Sequence, residues 1–489
     1  MKWLFTMVSS ARIRGIQAEY FDIVDLFFGK PFSEMRRNNV SAIAVAQQLV
    51  STERLVEAFR DEGEKFAEGI REFWKDVGPD VDAYVEKLNA LKGFFGGDVA
   101  PLYSKNIATS VGLYLDTVLI PDPLLKLGDF AGQADPKELL FLTAKHALNI
   151  LGYRELAIAE VDPPIVLVIP NHSLTEEPYL LAVDTAGAVD TTEHASRMFG
   201  REFDSPQEVL DFLAEFKTFR EAIQRFSDSS RLLIDVDWSG PLEDQLERNR
   251  AEMSRITGAP LTVPQILWLA MHGRMMQAND LVLGSAQYRG TPLVDAPTPW
   301  QYLLWKYEYD GSLSRRDRSF TDLVVSRAIQ TARGPQLSVL SDLPPQALID
   351  LRKEGAMADI REIFRKGLTD IELSQTGDLP RVADHVAQNI NSAMSDHERK
   401  LRDLASSRNK FFGKDVSGFI VLGGVSIAAA ASSNVALQIL ASGLSILGIS
   451  TLKDLKEKWK EIRGTTTELR RSPAGILFRH LPKKNDSRA

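Results

Sequence analysis

The sequence predicts a mainly α-helical protein with a small embedded β-sheet, an α+β fold, and three observations predict it. Apolar residues recur at helical spacing through most of the chain. One short β-branched run is fenced by prolines. A stretch of 37 residues near the C-terminus carries no charge at all. The expected architecture is a multi-helix body followed by a long C-terminal helix and an apolar helical hairpin.

Residues 1–160 read as a helical domain. Leu49, Leu55, Phe59, Phe66, Ile70 and Phe73 fall at helical spacing with charges between them, the signature of amphipathic helices. Gly96-Gly97 and Pro121-Asp122-Pro123 punctuate the region. At the start, Met1 to Val8 is too short an apolar run for a leader and reads as the beginning of an amphipathic helix.

Residues 161–240 read as a small α/β segment with two or three strands. Ile165-Val166-Leu167-Val168-Ile169 lies between Pro163-Pro164 and Pro170, and a short, wholly apolar run of this kind fits a buried strand. Tyr179 to Val183 and Leu232 to Val236 are further candidate strands. Between them Ser205-Pro206-Gln207-Glu208 signals a helix start: an N-cap serine, a proline at the first helical position and a glutamate at the third. Val209, Phe212, Phe216, Phe219, Ile223 and Phe226 then form one face of a single expected helix.

Residues 241–375 read as helical with a proline-rich loop from Gly290 to Pro299. Trp300, Tyr302, Trp305, Tyr307 and Tyr309 follow it, and Pro345 opens another helix. Such aromatics beside Arg315, Arg316 and Arg318 suit base stacking, but core packing is the commoner use. Residues 376–489 comprise a long helix with the stripe Val382, Val386, Ile390, Met394, His397, Leu401 and Leu404, then the apolar hairpin at 416–452, then a basic tail. Ser432-Ser433-Asn434 marks the expected turn of the hairpin.

Charge and composition narrow the function. The chain has 489 residues, no cysteine and a net charge of -8. Disulfides, Cys-ligated metals and thiol nucleophiles are excluded, and bulk charge does not favour nucleic acid. The tail from Lys453 to Ala489 departs from this balance, with eleven Lys/Arg against five Asp/Glu. No phosphate-cradling GxxxxGK[ST] loop, dinucleotide-binding GxGxxG, GxSxG elbow or HExxH pair is present.

Two functional expectations follow. The first is a non-enzymatic interaction or effector protein, cytoplasmic or held at the inner face of a membrane. Its hairpin at 416–452 would self-associate, bind a protein partner or meet lipid, and a role in bacterial stress or phage defence suits that design. Leu437, Leu440, Leu444 and Leu447 form a seam for a partner helix, while Gly443 and Gly448 permit close backbone approach. The second is a metal-dependent hydrolase or nuclease. Asp235 and Asp237 flank Val236 and in a strand would share one face. With Asp184, Glu176 and His172 they would hold a divalent cation, the only cofactor implied. Acidic residues also gather wherever strands leave a core.

Overall fold

The computed structural model describes residues 8–96, 107–112, 115–125, 127, 135–172, 177–234, 238–294, 296–313, 345–353, 355, 421–422 and 425–426. In chain order the helices are α1 (Ser10–Asn38), α2 (Ala42–Val50), α3 (Glu53–Lys87), α4 (Ile107–Val111), α5 (Pro136–Leu151), α6 (Arg154–Ala157), α7 (Glu177–Phe199), α8 (Pro206–Leu213), α9 (Phe219–Gln224), α10 (Leu242–Thr257), α11 (Val263–Trp268), α12 (Arg274–Gln287), α13 (Pro297–Leu313) and α14 (Pro345–Lys353). Strands are β1 (Lys92–Phe95), β2 (Thr117–Pro121), β3 (Val166–Ile169), β4 (Thr291–Leu293) and the two-residue pair β5 (Val421–Leu422) and β6 (Val425–Ser426). A π-helical turn, Leu269–Gly273, joins α11 to α12.

The mainly helical body with a small sheet is as expected, but the sheet has four strands. They run parallel in the order β3-β2-β1-β4. Two of them, β1 and β2, lie in the stretch read as wholly helical, and β4 lies in the proline-rich loop. Pro292 is tolerated in β4 because β4 is an edge strand, where a missing N–H leaves no gap in a ladder. β1 pairs with β4 from Gly93↔Thr291 to Phe95↔Leu293.

The chain divides into two compact units. The larger comprises Met1–Ser104, Leu119–Arg154 and Leu167–Phe320; the smaller comprises Lys105–Val118, Glu155–Val166 and Thr321–Ala489. In the larger unit α5 packs on α1, α2 and α3, and α12 packs on α7, α13, β1 and β4. Local chemistry explains where these helices begin. The side chains of Ser9, Ser41, Asp135, Ser205 and Thr218 each accept a first-turn backbone N–H, satisfying donors that have no partner within the helix. α3 ends differently. Buried Lys92 at the start of β1 donates to the Val85 and Leu88 carbonyls at 2.8 and 3.2 Å, so a strand residue caps the preceding helix.

The outer side of β3 is closed by a side chain. The Gln17 amide of α1 donates to the Val168 carbonyl and accepts from the Val168 N–H, both at 2.9 Å. A fully buried glutamine thus stands in for the neighbouring strand that an edge strand lacks.

Four local expectations are corrected. Tyr179 to Val183 is the first part of α7, a 23-residue helix, and not a strand; a short apolar run does not by its periodicity distinguish the two. Leu232 to Ile234 is irregular chain after a 3₁₀ turn at Ser229–Arg231. The helix from Ser205 is two helices, because Thr218 and Glu221 form a capping box that starts α9 afresh. The phenylalanine face survives this break. Phe212, Phe216 and Phe219 are buried in one cluster with Phe199, Phe203, Leu246 and Ile266, with Ile223 and Phe226 packed against it. Leu55, expected on the buried face of α3, is exposed.

In the smaller unit α14 is tied to the segment around α4. Arg352 donates to the carbonyls of Gly112 (2.7 Å), Asp116 (3.0 Å) and Leu115. The expected long helix at 376–410, the basic tail and 416–452, apart from β5 and β6, lie outside the described residues. Among the described residues no helix is long and apolar enough to cross a membrane.

Candidate functional site

The residues where parallel strands end are the natural place to look, because the chain leaves the core there with its polar groups converging. β2 ends on Asp122, which is fully buried. Its Oδ1 accepts from the Tyr20 hydroxyl at 2.7 Å and the Leu124 N–H at 2.9 Å, and its Oδ2 from the Trp74 indole N–H at 2.6 Å. Burial pushes this carboxyl up to about 6, against the opposing pull of the three donors. No cation neutralises it in these contacts, so α1 and α3 are pinned to the end of β2 by hydrogen bonds to a buried carboxyl.

β3 ends on Asn171 and His172, both nearly buried. His172 Nε2 lies 2.6 Å from the Tyr288 hydroxyl and 3.1 Å from Asp82 Oδ1. The Tyr288 hydroxyl donates to the same Asp82 oxygen at 2.5 Å. Its proton is therefore committed to Asp82, and His172 completes the triangle as a donor. Burial and the Asp82 charge hold the Tyr288 phenol far above its ordinary range. Tyr288 is thus no general base. The triangle joins α3, the exit of β3 and the end of α12, and the Tyr288 ring stacks on Phe94 of β1 at 6.1 Å.

Asp184 sits on α7 instead of at a strand end. Its Oδ1 meets His272 Nε2 at 3.0 Å, and His272 Nδ1 lies 3.3 Å from Thr191 Oγ1. His272 belongs to the π-helical turn and stacks on Trp268 at 4.7 Å. The order acid, imidazole, hydroxyl resembles a nucleophilic triad. Thr191 does not supply the nucleophile, however: it is fully buried and its hydroxyl donates to the Gly187 carbonyl at 2.6 Å.

His172 and Asp184 are therefore placed in separate groups. Asp235, Asp237 and Glu176 lie outside the described residues, as do Leu437, Leu440, Gly443, Leu444, Leu447 and Gly448. Among the described residues no group of three or more His, Asp or Glu side chains is arranged to hold a metal ion. The divalent cation expected for a hydrolase calls on Asp184, Asp235, Asp237, Glu176 and His172 together, and the two of these that are described, His172 and Asp184, belong to different groups. The aromatics after the proline-rich loop are core: Tyr302, Trp305, Tyr307 and Tyr309 are buried.

Sequence reading missed two buried polar groups of α13. Lys306 reaches Asp190 at 3.1 Å and Asp310 at 2.6 Å, with Asn279 donating to Asp190 at 2.6 Å. The Tyr309 hydroxyl lies 2.7 Å from His194 Nδ1, while His194 Nε2 meets the Arg231 carbonyl at 2.8 Å. A carbonyl only accepts, so Nε2 carries the proton and Nδ1 accepts from Tyr309. Burial pushes His194 down to about 3. Lys306 and Asp310 are an i,i+4 pair on α13, but no spacing within one helix announces the other pairs, whose members are 37 to 116 residues apart. An open groove of about 640 Å³ is lined by Asp135, Glu247, Arg250 and Arg255, and its mixed charges select no single ligand chemistry.

No family model matches the chain, and no curated protein or solved structure matches it.

Proposed function

We propose that the larger unit is a small-molecule-binding module whose ligand enters at the carboxyl ends of β1 and β4. The strand order carries this reading. From β1 the chain steps outward through β2 to β3, then returns to the opposite side of β1 with β4. The direction of strand addition thus reverses between β1 and β4, and in open parallel sheets ligands occupy the crevice at such a reversal.

Thermal unfolding of the full chain with a panel of millimolar metabolites, both neutral and phosphorylated, tests the module. A ligand at tenfold its Kd stabilises by about 1.4 kcal/mol. A panel in which no compound shifts the midpoint removes the reading.

A second reading is carried by the uncharged segment 416–452 and its basic flanks. Thirty-seven uncharged residues need a cover, and we propose an interaction or effector role in which a partner helix, a second copy or lipid supplies it. Leu444→Lys should then abolish oligomers in light scattering or liposome co-sedimentation while leaving the rest of the chain folded. A monomeric, lipid-free wild type would end this reading.

A further inference from the structure

The binding-module reading locates a crevice, and one residue beside it is unexplained by packing. Thr298 lies in the first turn of α13, which begins four residues after β4 ends. It is 3% exposed, and its hydroxyl has no hydrogen-bond partner among the described residues. Leaving a buried hydroxyl unpaired costs about 1–3 kcal/mol, so native structures rarely do so without a reason.

Other buried threonines of this protein show the ordinary solution. Thr143 and Thr191 return their hydroxyl protons to the carbonyls of Leu139 and Gly187, four residues back, at 2.7 and 2.6 Å. Thr117 donates to the Pro164 carbonyl at 2.8 Å. Thr298 does none of these things.

Its surroundings specify the missing partner. α13 is 17 residues long, and the positive end of its dipole is at Thr298. Pro297 and Pro299 have no N–H, and Trp300 already donates to the Ala296 carbonyl at 3.2 Å. The first three positions therefore present one backbone donor, on Thr298, and the hydroxyl of the same residue is the second. Gly96, at the carboxyl end of β1, is bonded to Leu293 of β4 at 3.0 Å, so this helix starts four residues beyond the paired carboxyl ends of β1 and β4.

We infer that the N-terminus of α13 binds a phosphoryl group of a nucleotide-sized ligand, with the Thr298 hydroxyl as its side-chain donor. Helix N-termini favour phosphate through their dipole and unpaired donors. Here the two prolines thin the backbone donors, which makes the hydroxyl decisive. The inference rests on the binding-module reading and adds the ligand class and the contacting residue.

The test compares ADP, pyrophosphate and adenosine, by calorimetry and thermal unfolding, on the full chain and on Thr298→Val and Thr298→Ser. Valine keeps the shape and removes the hydroxyl. ADP and pyrophosphate should bind wild type, and ADP more tightly than adenosine. Thr298→Val should unfold no earlier than wild type without ligand, because a methyl group needs no partner, yet bind ADP about tenfold or more weakly. Thr298→Ser should bind ADP within about threefold of wild type, as the donor is kept.

Equal ADP affinity in wild type and Thr298→Val would overturn the role of Thr298 and leave the module standing. Adenosine binding as well as ADP would overturn the phosphoryl inference, again leaving the module; this comparison uses wild type alone and survives a misfolded variant. No binding by any of the three, with Thr298→Val less stable than wild type, would mean that the hydroxyl holds an ordered water only, and the inference would fall.

Discussion

Replacing Gln17 with leucine is the most direct probe of how the sheet is held. The change keeps the size of the side chain and deletes both its donor and its acceptor. Val168 then loses the partners of its N–H and its carbonyl, each now at 2.9 Å and each fully buried. An orphaned buried group costs about 1–3 kcal/mol, so the expected loss is roughly 2–6 kcal/mol. Glutamate at the same position gives a sharper signature. Its ionised carboxylate would still accept from the Val168 N–H but would face the Val168 carbonyl with no proton to share. Acidification would restore an O–H donor, so Gln17→Glu should be unstable at pH 8 and recover markedly by pH 5, whereas Gln17→Leu should show no such recovery. Urea denaturation with hydrogen exchange at the Val168 amide measures both effects. An unchanged midpoint and undiminished protection at Val168 in Gln17→Leu would refute the surrogate-strand argument.

Three other outcomes are expected. Phe216→Ala should cost roughly 3–5 kcal/mol in chemical denaturation, because Phe216 is buried against Phe199 and Phe212 at 6.2 and 5.1 Å. His194, pushed down to about 3 in the fold, is protonated first in the unfolded chain. Its contribution is whole above pH 6.5 and falls with pH below it, by about 2 kcal/mol between pH 6.5 and 5. Comparing denaturation of wild type with His194→Gln at both pH values isolates this slope, which the variant should lose. Asp122→Asn should destabilise by about 1–3 kcal/mol, since an amide offers only one acceptor atom to the donors of Tyr20, Leu124 and Trp74. Adding Trp74→Phe, which withdraws one donor, should then cost less than Trp74→Phe costs wild type in a double-mutant cycle.

How much of this was legible in the sequence depends on whether the signal was local. β3 was, since Val166 to Ile169 is β-branched, apolar and bounded by prolines. β2 obeys the same rule: Val118-Leu119-Ile120 precedes Pro121-Asp122-Pro123, and attention to the prolines as punctuation hid the strand before them. β1 and β4 were not legible. Lys92-Gly93 in β1 and Pro292 in β4 are residue types depleted in strands, and the two short strands pair with each other in register. The break between α8 and α9 was available in Thr218-Phe219-Arg220-Glu221, a capping box inside what looked like one amphipathic face. Of the candidate site residues, the position of His172 at the end of β3 followed from its strand. Asp184 did not follow, because its partner His272 is 88 residues away and only the packing of α7 on the π-helical turn brings them together.

The pairing of β1 with β4 also sets an order of assembly on the ribosome. Gly93 must wait for Thr291, about 200 residues later. At ordinary synthesis rates of 5–20 residues per second that is roughly 10–40 s. Throughout that interval one side of β1 has emerged with no strand to take its backbone groups, and such unpaired edges invite association between nascent chains. Polypeptides ending before Thr291 should therefore be captured by chaperones or lost to aggregates, while those extending through α13 become soluble: translation must run through nearly two thirds of the message before the sheet can close.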